Sequence, residues 1–279
     1  MSDNDFGWAI PIMRAGYAGR ALVYIVVAGI SLWAVWHGQE AQGTSSAFST
    51  LESAAWGKAV LVVIFIGMLS YAVWRVIDAA YDLEDYGSDG EGTVARLGMV
   101  VTGLIHFAIG IGALIIVFTA SGGGGDSSIS KAADTVMSWP GGQWIVGLVG
   151  IVTIGAAGYY LKKAWKREYR ENLVGNPFTR NFDPALRGGV ASQGFVVGVI
   201  GAFILYAAIM HSGDEAGGMG KAFEWLHDQP YGRILVGLLC VGLLGFALFC
   251  AVNAGYRNIP KAAGDDIETL AAKFKEKAS

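Results

Sequence analysis

Six stretches of the chain are apolar almost from end to end, at roughly 17–36, 57–77, 97–118, 142–161, 188–210 and 233–252. Each supplies the roughly 20 residues that a helix needs to cross the hydrocarbon of a bilayer. The prolines (Pro11, Pro140, Pro177, Pro184, Pro230, Pro260) all lie outside these runs, so the pattern predicts unbroken spans. The expected fold is all-α, a six-span transmembrane helical bundle. The opening "MSDNDFGWAIPIMRAG" starts acidic and lacks a small-residue cleavage site, which argues against a signal peptide.

The polar and small positions repeat. "RAGYAGRALVYIVVAG" (14–29) aligns without gaps on "RLGMVVTGLIHFAIGI" (96–111) and "RGGVASQGFVVGVIGA" (187–202), matching Arg14, Arg96 and Arg187, and then Gly16, Gly98 and Gly189. The even spans align as well, so that Gly57, Gly142 and Gly232 coincide, as do Ser70, Gly155 and Gly245. Between the spans, "AFSTLESAAWG", "AADTVMSWPGG" and "AFEWLHDQPYG" each read as a short amphipathic segment ending in a turn. Two spans per repeat make all three repeats enter the membrane in the same sense, giving parallel repeats about a pseudo-threefold axis. The expected organisation is an N-terminal segment 1–13 and repeats over 14–82 (spans 17–36 and 57–77), 96–167 (97–118 and 142–161) and 187–257 (188–210 and 233–252). A tail, 258–279, follows.

On the "RAGYAGRALVY" entry, its counterparts at Arg96 and Arg187, and the "PGG" and "PYG" turns, the chain resembles a bacterial integral membrane family with a domain of unknown function, built of three tandem two-helix repeats. The resemblance spans roughly 14–257 and implies a fold, with no activity to transfer. Mitochondrial solute carriers share a three-by-two layout, but their proline kink and charged pair at the end of each odd helix are missing here.

Charge sets the orientation. Apart from Lys58, Lys131, Lys221 and Arg233, all 20 Lys and Arg fall in the termini and the two even-to-odd connections, or at the span ends beside them. By the positive-inside rule both termini are expected in the cytoplasm of a cell bounded by an inner (plasma) membrane. The formal charge of −3 opposes nucleic-acid binding. Cys240 and Cys250, ten apart in one apolar run, suit neither a disulfide framework nor a metal site. No metal and no cofactor is expected, and the bilayer is the expected partner. A second membrane protein or a second copy of the chain remains open.

The candidate functional residues are few. Arg14, Arg96 and Arg187 begin the odd spans, as anchors to anionic lipid head groups at the cytoplasmic face or as a ring forming an anion site. Gly194 and Gly198 form a GxxxG, and Gly155 and Gly245 lie on the even spans. All four are expected to pack helices closely, because association in lipid depends on close approach. The acidic stretch "DAAYDLEDYGSDGEG" (78–92) reads as a solvated loop, with Asp78 paired to Arg75, and "GGGG" (122–125) reads as an outer linker. The tail places Ile267, Leu270, Ala271 and Phe274 on one helical stripe, as an interfacial helix or a frayed end. His106 stands alone in "VVTGLIHFAIGIGALIIVF", about 15 Å into its span. The alignment sets it level with Tyr24, so an intramembrane His106–Tyr24 pair is expected, structural or proton-handling. No catalytic constellation appears. The sequence favours a non-enzymatic structural or interaction role, with a small transporter or channel along the repeat axis as the alternative.

Overall fold

A computed structural model describes residues 6–119, 125–260 and 269–276, with the side chains of 125–127 left aside. The bundle is all-helical, with six membrane-length helices: α1 (Ala9–Trp36), α3 (Gly57–Tyr81), α4 (Gly90–Thr119), α6 (Gly142–Lys166), α8 (Asp183–Met210) and α10 (Gly232–Tyr256). Three short helices cross between odd and even spans at one end: α2 (Thr44–Glu52), α5 (Gly125–Met137) and α9 (Met219–His227). At the other end lie α7 (Pro177–Asn181) and α11 (Leu270–Glu276). Residues 122–124 of "GGGG" and all of 261–268, including Ile267, lie outside the described residues.

Each of the short helices α2, α5 and α9 leads through a short turn into an even span, and a glycine makes the corner. A Cβ on Gly57, Gly142 or Gly232 would sit 1.7, 1.7 or 1.8 Å from the carbonyl oxygen of Leu51, Val136 or His227. No side chain fits there, so this one position is fixed by backbone contact in all three repeats. Tryptophan marks the two membrane boundaries: Trp33, Trp36, Trp56, Trp139 and Trp144 are exposed near the outer-helix end, and Trp8 and Trp165 near the opposite end, as aromatic rings do at lipid–water interfaces.

The repeats join into a ring, with α3 packed on α4, α6 on α8 and α10 on α1. These interfaces reuse the same small positions. Gly103 and Gly194 meet Arg75 and Tyr160, which are equivalent residues, and Gly110 and Gly201 meet Met68 and the Thr153–Ile154 backbone. Gly194 and Gly198 thus pack on α6, Gly198 against Ala157 at 3.4 Å. Within the repeats the symmetry breaks. In the first, Gly16 lies against the Tyr71 backbone and Gly19 against Gly67; in the third, Gly189 lies against Gly245 and Phe246. In the second, α4 and α6 form no comparable interface among the described residues, and both Gly98 and Gly155 face open space.

Gly245 therefore sits against a neighbouring helix, and Gly155 does not, contrary to expectation. The alignment made the two equivalent, but the packing partner that α8 gives α10 is missing between α4 and α6. A seam is left on the membrane side of the ring.

The tail also departs from expectation. Leu270 is fully buried, Thr269 bridges Val174, and the Leu270 amide donates to the Leu173 carbonyl. The ring of Phe274 lies under Arg170 at 3.9 Å. These apolar residues are spent on the connection between α6 and α8, so the stripe at 270–274 covers protein.

Candidate functional site

Arg20 lies near the middle of the 28-residue α1, about 16 Å along the helix from Ala9. Only 3% of it is exposed. Its Nη1 donates to the Tyr71 hydroxyl at 2.8 Å, and its guanidinium lies over the rings of Tyr71 (4.7 Å) and Phe246 (5.3 Å). Its Nε and Nη2 are buried and make no hydrogen bond. The phenols of Tyr24 and Tyr160, the thiol of Cys250 and the ring of His106 also lie near it. Helices α1, α3, α6 and α10 therefore all meet at this guanidinium, and among the described residues no carboxylate reaches it.

From Arg20 a polar column leads to the end of the bundle opposite the outer helices. Tyr71 also accepts from Arg75 Nε at 2.9 Å. Arg75 continues to Asp78 (3.1 Å) and to the Tyr17 hydroxyl (3.3 Å), and lies 3.8 Å from Glu84. Glu84 in turn accepts from Arg257 through both Nε and Nη2. The pairing of Arg75 with Asp78 is the one the i, i+3 spacing suggested. Glu84 was expected in a solvated loop, yet its side chain is 3% exposed, because Asp82 adopts the left-handed region (φ 52°) and turns the chain back under the bundle. Burial alone would raise the Glu84 carboxyl, but the guanidiniums of Arg257 and Arg75 hold it down, at about 2 against an ordinary 4.5. Among the described residues the column thus contains three guanidiniums and two carboxyl groups, and Arg20 is the guanidinium without a carboxyl partner.

His106 is buried on α4, and it meets Tyr71 instead of Tyr24: the two rings lie 4.8 Å apart. Tyr24 turns to Phe246, 4.8 Å away and edge-on. The expected His106–Tyr24 pair is thus replaced, because equal depth on α1 and α4 does not bring together helices that α3 separates. Nδ1 of His106 lies 2.7 Å from the Thr102 carbonyl oxygen. A carbonyl only accepts, so Nδ1 carries the proton and Nε2 is left as an acceptor. That carbonyl also serves the helix, so His106→Phe strands no buried group. It should lower stability by about 1 kcal/mol, read as a shift in the thermal melt of the purified protein.

The three repeat arginines do not form a ring around an anion. Arg96 Nε donates to the Ala79 carbonyl at 2.6 Å, and Arg187 Nε to the equivalent Ala164 carbonyl at 3.1 Å. Each caps the end of the preceding even helix, whose last carbonyls lack intrahelical donors. Arg14 is exposed.

Arg20 was missed because it stands at the edge of an apolar run, where a basic residue is ordinary. The repeat alignment carried the signal. Its equivalents are Thr102 and Gln193, so one position within every odd membrane-length helix is polar. Gln193 is 6% exposed, and its Oε1 is likewise without a partner.

Among the described residues no group of three His, Cys, Asp or Glu side chains is placed to hold a metal ion. The family profile described as Domain of Unknown Function (DUF1206) matches this chain three times, at 15–82, 97–167 and 188–257. The chain is 26% identical over 256 residues to the uncharacterized protein YxxB of Bacillus subtilis (strain 168), covering 90% of this chain and 92% of the relative. No solved structure matches it.

Proposed function

The chain belongs to this DUF1206 family, whose description assigns no activity, and we propose that it is a non-enzymatic membrane protein that admits a small polar solute to the centre of its bundle, as a transporter or channel. The observation that carries this reading is Arg20, a guanidinium buried within a membrane-length helix with two donor atoms unsatisfied. A charge at that depth is costly, and such groups pair with one another or mark a pathway. A protein acting only as a scaffold would gain nothing from an unpaired arginine where the third repeat has glutamine. The column through Tyr71 and Arg75 gives a solute polar contacts toward one face. The test is flux into liposomes containing the purified protein, with a panel of labelled ions and organic solutes. Saturable uptake of at least one solute above protein-free liposomes is expected. No uptake of any by folded protein would return the reading to a structural or interaction role.

The same proposal puts the protein in the inner (plasma) membrane of a bacterium, with both termini cytoplasmic and α2, α5 and α9 outside. The support is the concentration of Lys and Arg around the 161–187 connection, which alone holds seven, beside anionic lipid head groups. In intact cells an impermeant thiol reagent should label a cysteine at Thr135 and spare one at Glu171, both exposed. The reverse pattern would invert the topology.

A further inference from the structure

We propose that Arg20 is a carboxylate-binding site: a monoanionic carboxylate seats on its Nε–Nη2 edge at the bundle centre and reaches it through the seam between α4 and α6. This deepens the solute reading above by naming the solute's chemical class.

The geometry of the fork is the first argument. Nε and Nη2 of an arginine point the same way and match the two oxygens of a carboxylate. This molecule uses that edge twice. Arg170 takes Asp183 through Nε (2.7 Å) and Nη2, one to each oxygen. Arg257 closes the same two nitrogens on a single oxygen of Glu84, Oε1. Arg20 presents the same pair of donors, buried and empty-handed, while Nη1 is held by Tyr71. An unsatisfied buried donor is costly, and a buried unpaired charge more so.

Charge is the second argument. Arg20 and Arg75 both donate to one phenol oxygen, Tyr71, so two cations share a neighbourhood. Arg75 is balanced by Asp78 and Glu84, and Arg257 by Glu84. Arg20 alone of the three has no carboxyl partner among the described residues, and a bound carboxylate supplies one. The phenols of Tyr24 and Tyr160 border the guanidinium, and their hydroxyl hydrogens can turn to the bound oxygens.

Access is the third. Tyr160, which faces Arg20, stands on α6, one wall of the seam; His106, close to Tyr71, stands on α4, the other. Gly98 and Gly155, which close the equivalent contacts in the other repeats, have nothing against them here. A carboxylate can come from water, as a short organic acid, or from the bilayer, as a fatty acid whose chain stays in the seam.

The test is equilibrium binding of radiolabelled butyrate and decanoate to the purified full-length protein in a neutral detergent, with the matching methyl esters as competitors. One saturable site per chain is expected, with no competition by the esters. Butyrate binding assigns a water-borne acid, and binding of decanoate alone assigns an amphiphile from the bilayer. Arg20→Gln should weaken binding roughly 10- to 100-fold, the worth of a charge-assisted two-point contact. Arg20→Lys, which keeps the charge and loses the fork, should also weaken it, and Tyr160→Phe should do so by a smaller factor while remaining folded. If Arg20→Gln does not fold, the acid–ester comparison on the unaltered protein and Arg20→Lys still decide. Binding without flux upholds the site and removes the transport reading. Flux of other solutes with no carboxylate binding does the opposite. Equal affinity for acid and ester, or Arg20 variants that bind like the unaltered protein, overturns the inference.

Discussion

Replacing Glu84 with glutamine is expected to cost about 3–5 kcal/mol of stability, the scale for removing one partner of a buried ion pair. The guanidinium of Arg257 is fixed against Glu84 by Nε and Nη2 and has the Tyr17 ring 5.2 Å away, so it cannot swing to water when the carboxylate goes. Arg75 loses part of its compensation at the same time. The pH dependence follows from the direction of the Glu84 shift. Its folded-state carboxyl is depressed to about 2 from an ordinary 4.5, despite burial, by Arg257 and Arg75. A depressed acid contributes stability that is fully present above its unfolded value and is lost as pH falls toward the folded one. Stability should therefore fall between pH about 4.5 and about 2, and the glutamine variant should lose that part of the slope. Unfolding curves of both proteins across this range, in one detergent, check it. A variant within 1 kcal/mol of the parent at neutral pH would mean that the pair is solvated.

The second large effect is expected where two glycines bring α1 and α3 into backbone contact. A Cβ on Gly19 would lie 2.5 Å from the Gly67 Cα, and one on Gly67 would lie 2.5 Å from the Gly19 Cα. Both obstacles are backbone, so Gly19→Leu must force α1 and α3 apart. Overpacking costs about 1–3 kcal/mol where side chains can give, and more where the backbone must move, so a loss above 3 kcal/mol or failure to fold is expected. Gly155→Leu is the control. With nothing within 4 Å of its Cβ, it should shift stability by less than about 0.5 kcal/mol. Similar melting shifts for the two variants would contradict the packing described for the first and second repeats.

The spans, the three repeats and the outer amphipathic helices were legible because each is a local pattern of apolar length or spacing. What could not be read was which equivalent positions the fold treats alike. Gly155 and Gly245 are the same letter at the same place in the repeat, and only the partner differs: α8 covers Gly245, and nothing covers Gly155. His106 and Tyr24 share a depth, but α3 stands between α1 and α4, so the histidine finds Tyr71. Glu84 looked solvated because its neighbours Asp82, Asp85 and Asp89 are polar, and its burial depends on a left-handed turn at Asp82 and on Arg257, far along the chain. Arg20 was hidden for the opposite reason: position alone gave it an ordinary explanation.

The central claim is that the buried Nε–Nη2 edge of Arg20, which has no carboxyl partner among the described residues, takes an outside anion. The most direct measurement is anomalous diffraction from crystals of the full-length protein grown with a bromine-substituted short carboxylate. The account predicts one bromine peak per chain beside Arg20, with carboxylate density against Nε and Nη2 and none in an Arg20→Gln crystal. A fork filled by one of the protein's own carboxylates, or no peak at Arg20 with α4 closed on α6, would contradict it.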